Sequence, residues 1–241
     1  METNRHYRRV LVKLSGEALM GSGGGVFDAR FMDGLVEELR AVHAAGVELA
    51  LVVGGGNIYR GGLGGNAGLA RTRGDHMGML ATVINSLAIQ NALEATGLTA
   101  VVQSAIPMPQ VADTFLLRTA LEALQRGQIL VFAAGTGNPY FTTDTAASLR
   151  AIEIGADLLL KGTKVDGVYS ADPRLHRDAT RHDRLTFDQV LQRKLQVMDL
   201  TAISLCQANH LPIMVFSILE RGALTAIMRG EQRGTLIEEA L

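Results

Sequence analysis

The sequence lacks the features that would tie it to an oxidising compartment, a membrane or a nucleic acid. Its single cysteine, Cys206, excludes an intrachain disulfide and fits a reducing compartment. The net charge of −1 leaves no basic excess for nucleic acid or an anionic membrane. No apolar run approaches the roughly 20 residues that cross a bilayer. We therefore expect a cytoplasmic protein with no nucleic-acid and no membrane partner, in which any phosphate site is local.

The common nucleotide-binding loops are missing as well. The P-loop pattern G-x-x-x-x-G-K-[ST] occurs nowhere in the chain. Residues 62–67 formally match G-x-G-x-x-A, but no strand directly precedes them, so a dinucleotide-binding loop is not predicted. Glycine itself is in excess, with 27 of 241 residues against a usual share of about 7%. Its clusters at 21–25, 54–56 and 61–65 indicate backbone brought close to a ligand.

Apolar runs of strand length alternate with segments of helical period along the chain. Predicted strands cover residues 10–14, 47–53, 99–103, 128–133, 157–161, 212–216 and 235–238. Predicted helices begin at about residues 28, 75, 114, 143, 187, 199 and 220, with Asp28 as the first N-cap. This alternation predicts an α/β fold, a three-layer α/β/α sandwich with a mostly parallel central sheet. Because ligands bind beyond the carboxyl ends of such strands, the loops after Leu14, Val53, Ala133 and Lys161 should converge on one crevice.

Two motifs at strand ends are candidates for phosphate binding. Lys13 ends the first strand, and a buried strand-end lysine either reaches water or pairs with an anion such as a phosphate. The run Gly54–Gly62 leaves backbone N–H groups uncovered, as in an anion-binding nest, and Arg60 adds a planar fork for phosphate oxygens. A solvated lysine and a flexible surface loop are the plainer alternatives.

Two further motifs place polar side chains near predicted helix starts. Asp75, in Arg71–Met79, either caps its helix or accepts hydrogen bonds from two ribose hydroxyls. The run Gly135–Ala147 joins a hydroxyl-rich loop to a helix N-terminus, which favours anions. Asp144 in this run could orient a lysine and a metal-bound phosphate, and local caps explain only part of the pattern.

A fifth motif, Lys161–Pro173, carries lysines, aspartates and a tyrosine. Its Asp166-Gly167 pair predicts a tight hairpin turn, and Tyr169 could stack on a nucleobase. A plain turn is the alternative, and the sequence does not decide whether Lys161 or Lys164 contacts phosphate.

Together, GGGNIYRG, GDHMGMLAT, GTGNPYFTTDTAA and KVDGVYSADP resemble, in order and spacing, the bacterial uridylate kinases of the amino-acid-kinase superfamily. The resemblance runs from about residue 8 to the C-terminus. It implies phosphoryl transfer from ATP to UMP, giving UDP and ADP in pyrimidine nucleotide biosynthesis, with Mg²⁺ carried by the nucleotide phosphates. It also implies a homohexamer, with GTP as an activator and UTP as an inhibitor.

The same resemblance implies where each ligand binds within a single domain, 1–241, whose UMP side is mainly 1–155 and whose ATP side is mainly 156–241. ATP would contact Lys13, Leu14, Ser15, Gly16, Gly56, Arg60, Thr163, Tyr169 and Asp172. UMP would contact Gly55, Asp75, Thr136, Gly137, Asn138, Pro139, Tyr140, Phe141, Thr142 and Thr143. The GTP segment aligns with Gly21, Ser22, Gly23, Gly24, Gly25 and Val26, which carry no charge to hold a nucleotide.

For catalysis, phosphoryl transfer requires positioning and charge neutralisation more than covalent chemistry. We expect Lys13 and Arg60 to offset charge on the transferring group, and Asp144 to hold Lys13 or metal-bound water in place. Two alternatives remain. One is a kinase of the same fold with an amino-acid or carbamate acceptor. The other is a non-enzymatic, ATP-binding metal-oxyanion storage protein, which Arg60, Asp75 and the threonine loop disfavour.

Overall fold

The computed structural model describes residues 7–21, 25–59, 69–173, 175–176, 178–195 and 197–239. Strands β1 to β11 are, in order, Arg9–Leu14, Glu48–Val53, Ala100–Ser104, Asp113–Thr114, Ile129–Ala133, Leu158–Thr163, Val168–Tyr169, Arg181–His182, Arg184–Thr186, Ile213–Ser217 and Thr235–Glu238. Helices α1 to α7 are Ala29–Ala44, Arg71–Glu94, Leu117–Gln125, Thr143–Glu153, Phe187–Gln192, Leu200–Ala208 and Ala223–Met228. A short 3-10 helix, Gly16–Met20, follows β1. Every predicted strand and helix has a counterpart, with ends shifted by a few residues.

Nine of the described strands form one sheet, in the order β4-β3-β5-β2-β1-β6-β10-β11-β9. All neighbours in this sheet are parallel except β10 and β11. The central strands are buried along nearly their whole length, as expected when helices cover both faces. The predicted α/β class with a mostly parallel sheet is therefore confirmed.

Two hydrophobic cores lie on opposite faces of this sheet, because alternate residues of a strand point to opposite sides. Val10, Val12 and Leu14 of β1 pack with α1, α2 and α7. Leu11 packs in the other core, with α3 to α6. Lys13 is two residues after Leu11 in the strand, so its side chain points to the same face of the sheet, the one that α4 covers.

Helix α2 begins four residues earlier than predicted. Its first residue is Arg71, and Ala70 occupies the cap position without a side-chain hydrogen bond. The amide of Gly74 already donates to the carbonyl of Ala70 at 3.1 Å. Asp75 therefore lies in the second turn and cannot be the N-cap. Asp28, in contrast, caps α1 as predicted, accepting from the amide of Phe31 at 3.0 Å.

The hairpin predicted at Asp166-Gly167 is wrong. Strand β7 pairs antiparallel with β8, across a connection of residues 170–180, and not with the strand before the turn. That preceding strand, β6, already has β1 and β10 as parallel neighbours. No edge of β6 is left for a hairpin partner. Asp166 instead accepts hydrogen bonds from the hydroxyl of Tyr169 at 2.7 Å and from Arg181 at 2.9 Å.

Among the described residues, no helix combines the length and the apolar character that a membrane span requires.

Candidate active site

The loops after β1, β2, β5 and β6 meet at one edge of the sheet, because these strands are neighbours in it. A cleft of about 560 Å³, including its open mouth, lies between α2 and the loop that follows β5. Its lining consists of Gly55, Tyr59, Gly74, Asp75, Gly78, Met79, Thr82, Gly135, Thr136, Asn138, Phe141, Thr142 and Thr143. Seven of the ten residues predicted to bind UMP line this cleft, and they come from the loop after β2, from α2 and from the loop after β5. The other three, Gly137, Pro139 and Tyr140, are not part of its lining.

The glycine loop after β2 packs too closely against its neighbours for side chains. A Cβ on Gly55 would lie 2.7 Å from the Cβ of Ala81 and 2.8 Å from the carbonyl oxygen of Gly78, both on α2. A Cβ on Gly16 would lie 2.8 Å from the amide nitrogen of Gly56. The glycine cluster therefore lets three segments of backbone approach one another at the cleft.

A buried amide pair holds this loop in place. Asn85, fully buried on α2, donates to the carbonyl oxygen of Gly54 at 2.7 Å and to Oδ1 of Asn57 at 2.7 Å. Asn57 in turn donates to the carbonyl oxygen of Val26 at 3.0 Å. The pair links the glycine loop to Val26, in the segment before α1.

Beside the cleft, one carboxylate joins two lysines. Oδ1 of Asp144 lies 2.7 Å from Nζ of Lys13, and Oδ2 lies 2.7 Å from Nζ of Lys161. The three side chains are 9%, 15% and 13% exposed for Lys13, Asp144 and Lys161. Asp144 directly follows Thr143, which lines the cleft. The group therefore presents a surplus of ammonium charge next to the cleft.

Burial and pairing act in opposite directions on these groups. Burial raises the pKa of Asp144, but the charges and hydrogen bonds of Lys13 and Lys161 outweigh it, so the carboxyl pKa lies below its ordinary value. Burial lowers the pKa of Lys161, and Asp144 offsets this only in part, while Lys13 lowers it further. Asp144 is thus held ionised between two cations. The charged form of Lys161 is less favoured here than it is in water.

Asp144 does not cap α4. The N-cap is Thr142, whose hydroxyl accepts from the amides of Asp144 at 3.0 Å and Thr145 at 3.3 Å. With the cap already supplied, the side chain of Asp144 is left to the two lysines. A role in capping α4 therefore does not account for Asp144.

The loop between β5 and α4 is shaped by left-handed backbone conformations. Ala134 and Tyr140 have φ values of 63° and 73°, and Gly137 has 78°. Non-glycine residues rarely adopt such values and need local support. For Ala134 the support is Thr82 of α2, whose hydroxyl accepts from the Ala134 amide at 2.8 Å. The loop thus leaves β5 in a fixed direction, toward the cleft.

Asp75 ties the far end of the same loop to α2. Its Oδ2 accepts from the amide of Tyr140 at 2.8 Å, and Arg71 donates to both carboxylate oxygens at 2.9 and 3.0 Å. The guanidinium of Arg71 also lies 5.5 Å from the ring centroid of Tyr140. Asp75 therefore lines the cleft and helps to hold the loop beside it.

The remaining predicted residues are distributed more widely. Thr163, Tyr169 and Asp172 lie outside this cleft, at the end of β6, in β7 and in the segment after it. Lys164 is mostly exposed, 3.9 Å from Glu17, so only Lys161 of these two lysines joins the Asp144 group. Arg60, Ser22, Gly23 and Gly24 lie outside the described residues.

The sequence profile of the Amino acid kinase family matches residues 8–217. The chain belongs to the amino acid kinase family. It is 58% identical over 232 residues to the uridylate kinase of Magnetococcus marinus, with 96% of each chain covered. It is 54% identical to that of Xanthomonas oryzae pv. oryzae, with 96% of this chain and 97% of the relative covered. Its fold matches the crystal structure of UMP kinase from Bacillus anthracis with a TM-score of 0.95, at 36% identity and 98% coverage of each chain.

These matches confirm the family resemblance that the motifs indicated. Three residues that support the site had no predicted contact within it: Asn85 lies outside the motifs, while Thr82 and Lys161 lie inside two of them. Asn85, Thr82 and Lys161 each support the site through contacts with sequence-distant partners. For α2, one signal was available: Gly78, Met79 and Thr82 follow Asp75 at helical spacing and so share its face.

Proposed function

We propose that this amino acid kinase family member transfers the γ-phosphoryl group of ATP to UMP, giving UDP and ADP. The observation that carries the proposal is the junction of a two-lysine, one-carboxylate group with a hydroxyl-rich cleft. The names of the curated relatives and of the solved structure support the same reaction.

At the phosphate end, Lys13 and Lys161 would offset charge that develops on the transferring phosphoryl group. Preorganised charges of this kind are effective because they require no reorganisation during the reaction. Asp144 would hold both ammonium groups in place through ion pairs at 2.7 Å. We assign Arg60 to the same end on the motif alone.

We propose Mg²⁺ as the cation, carried by the ATP phosphates. Among the described residues, no three His, Cys, Asp or Glu side chains gather as metal ligands. Asp144 is the carboxylate in contact with the lysines, so a nucleotide-borne cation would meet the chain chiefly there. When bound, it would add positive charge along the β- and γ-phosphates.

At the nucleoside end, Asp75 would accept protons from the ribose hydroxyls, and the loop 136–143 would read the uracil through amides and hydroxyls. Both line the same cleft. A general base is unnecessary, since the second pKa of a phosphate monoester is about 6 and the UMP phosphate is already ionised at neutral pH. The acceptor oxygen therefore needs only to be placed in line with the γ-phosphate.

On the ATP side, we assign Leu14, Ser15, Gly16 and Gly56 to the phosphates, since the backbones of Gly16, Gly54 and Gly56 approach one another closely here. Thr163, Tyr169 and Asp172 would hold the adenosine, beyond β6. The hydroxyl of Tyr169 is fixed by Asp166, which leaves the ring to face a base. We propose that the UMP side is mainly 1–155 and the ATP side mainly 156–241, with the ATP phosphates reaching the glycine loops of the first part.

For regulation, we propose a homohexamer that GTP activates and UTP inhibits. The link from Val26 through Asn57 to Asn85 gives the GTP-aligned segment a direct contact with the glycine loop. Kinetics at saturating ATP, with and without GTP at several UMP concentrations, test this proposal. Unchanged rates, or simple competition with ATP, would remove it.

A coupled ADP-release assay across UMP, CMP, AMP, aspartate and N-acetylglutamate tests the proposed reaction. We expect turnover with UMP at a kcat/KM at least about 100-fold above every other acceptor, as a site built to hydrogen-bond one base rejects others strongly. Preferred turnover of aspartate or N-acetylglutamate would show an amino-acid kinase. Binding of ATP without turnover of any acceptor would favour a storage protein.

A further inference from the structure

Asp199 contacts the start of α4, the helix that carries Asp144. It lies just before α6, and its Oδ2 accepts two hydroxyl hydrogens, from Thr142 at 2.5 Å and from Thr145 at 2.9 Å. Both threonines belong to the start of α4. The other oxygen of Asp199 accepts from the amide of Ala202 at 2.9 Å and caps α6.

The carboxylate of Asp199 fixes the direction in which the Thr142 hydroxyl donates its hydrogen. A hydroxyl has one hydrogen to donate, and a carboxylate is a pure acceptor, so the Thr142 hydrogen points to Asp199. The lone pairs of the same oxygen then face the amides of Asp144 and Thr145, which it caps. Asp199 thereby fixes the first turn of α4, which carries Asp144.

The same short segment also holds one of the lysines. The carbonyl oxygen of Val197 accepts from Nζ of Lys161, and Val197 is buried. The carboxylate of Asp199 additionally raises the pKa of Lys161, against the larger lowering by burial. One segment, Val197 to Asp199, therefore touches both Lys161 and the helix turn that presents Asp144.

We propose that Asp199 is a positioning residue for phosphoryl transfer, which orients the Thr142 and Thr145 hydroxyls and so sets Asp144 against Lys13 and Lys161. The inference rests on the proposed function. It assigns Asp199 no contact with either nucleotide. The competing explanation is purely structural, in which Asp199 matters only as the cap of α6.

Asp199→Asn separates these explanations. Asparagine is as good an N-cap as aspartate, so α6 keeps its start. Its amide nitrogen cannot accept the two hydroxyl hydrogens. We expect kcat for UMP phosphorylation to fall by about tenfold or more, since small misplacements of catalytic groups are costly. KM for UMP and for ATP should change by less than about threefold. Asp28→Asn makes the same exchange at the α1 cap and should leave kcat unchanged.

Thr145 gives a second test from the other side of the contact. Its buried hydroxyl donates to Asp199, so Thr145→Val should reproduce part of the loss in kcat. Thr145→Ser keeps the hydroxyl and should restore the wild-type rate. A serine variant that is as slow as the valine variant would overturn the positioning role.

Amide hydrogen exchange adds a readout that does not depend on turnover. In Asp199→Asn, the amides of Asp144 and Thr145 should exchange at least about tenfold faster, while those of the last turn of α4 keep their rates. Unchanged exchange at the first turn, or a lowered thermal midpoint with wild-type kcat, would overturn the proposal. If the wild-type protein does not phosphorylate UMP, the proposed function fails, and the exchange experiment still decides whether Asp199 fixes the α4 turn.

Discussion

Beside the cleft, at its proposed phosphate end, Lys13, Asp144 and Lys161 are mostly buried and joined by ion pairs at 2.7 Å. At the proposed nucleoside end, Tyr140 and Phe141 are 67% and 50% exposed, and the loop that carries them is held by backbone conformation. The first region is fixed by charges from three elements distant in sequence. The second is fixed by local turns, by hydrogen bonds to Thr82 and Asp75 of α2, and by the contact of Arg71 with Tyr140.

This difference indicates a division of labour. Charges that are already paired and desolvated can act on the transferring group without rearrangement, which is where phosphoryl transfer gains most. An exposed loop of amides and hydroxyls suits recognition, because it can adjust to a base and be covered by it. Mutations in the first region should therefore lower kcat, and those in the second should raise KM for UMP.

The largest effect is expected from Lys13→Met. Loss of one preorganised charge at the transferring phosphoryl group should reduce kcat by about 10²-fold or more. Lys194→Met, which removes an exposed lysine just after α5, serves as the control and should leave kcat unchanged. Steady-state kinetics with UMP and ATP provide the measurement. A folded Lys13→Met protein with near wild-type kcat would contradict the assignment.

The next largest effect is expected from Asp144→Asn. It should lower kcat by about 30-fold and change KM for either nucleotide far less, since orientation matters most in the transition state. It should also weaken the dependence of the rate on Mg²⁺ concentration. Asp188→Asn is a matched control, because Asp188 occupies the same second position of α5 behind a threonine cap. A kcat within about twofold of wild type, some 0.4 kcal/mol of barrier, would make the lysine contacts incidental.

Asp75→Asn tests the nucleoside end. Loss of the carboxylate charge should weaken hydrogen bonds from the ribose hydroxyls, so KM for UMP should rise by about tenfold while KM for ATP changes little. Thermal stability should move only slightly, because the Arg71 pair is an i,i+4 contact worth about 0.5 kcal/mol or less. Glu94→Gln, at the other end of α2, is the control. A lowered stability with unchanged KM would show that Asp75 only holds the loop.

These assignments show what the sequence could supply and what it could not. Lys13, Asp75 and Asp144 were found because each lies in a motif next to a predicted strand or helix end. The partnership of Lys161 with Asp144 spans 17 residues, and that of Asp199 with Thr142 spans 57. Such contacts follow from which strands and helices pack together, which no local pattern specifies.

The errors have the same origin. Asp166-Gly167 has the composition of a hairpin turn, but turn propensity cannot show that β6 has no free edge. Aspartate is a favoured N-cap residue, yet α2 begins at Arg71, and Ala70 at its cap position makes no side-chain hydrogen bond. The mostly parallel sheet, the succession of strands and helices along the chain and the convergence of the loops were predictable. They follow from apolar runs of strand length that alternate with segments of helical periodicity along the whole chain. A cytoplasmic location stays a prediction.

The smallest effect concerns stability. The pKa of Lys161 is lower in the folded protein than its ordinary 10.5, so the unfolded chain binds more protons between the two values. Stability should therefore rise with pH through that window, and the charged lysine costs stability at neutral pH. We expect Lys161→Met to lower kcat but not the thermal midpoint, and to flatten this rise. A clearly lower midpoint at pH 7 would show that Lys161 stabilises the fold.

The most direct test is a pair of double-mutant cycles in kcat/KM for UMP. If Lys13 and Asp144 act as one unit, Lys13→Met combined with Asp144→Asn should be no more than about threefold worse than the poorer single variant, as for other catalytic groups that act together. Lys13 and Asp75 serve separate regions, so their losses should multiply. Multiplicative losses for Lys13 with Asp144, or strong non-additivity for Lys13 with Asp75, would contradict the division of the cleft.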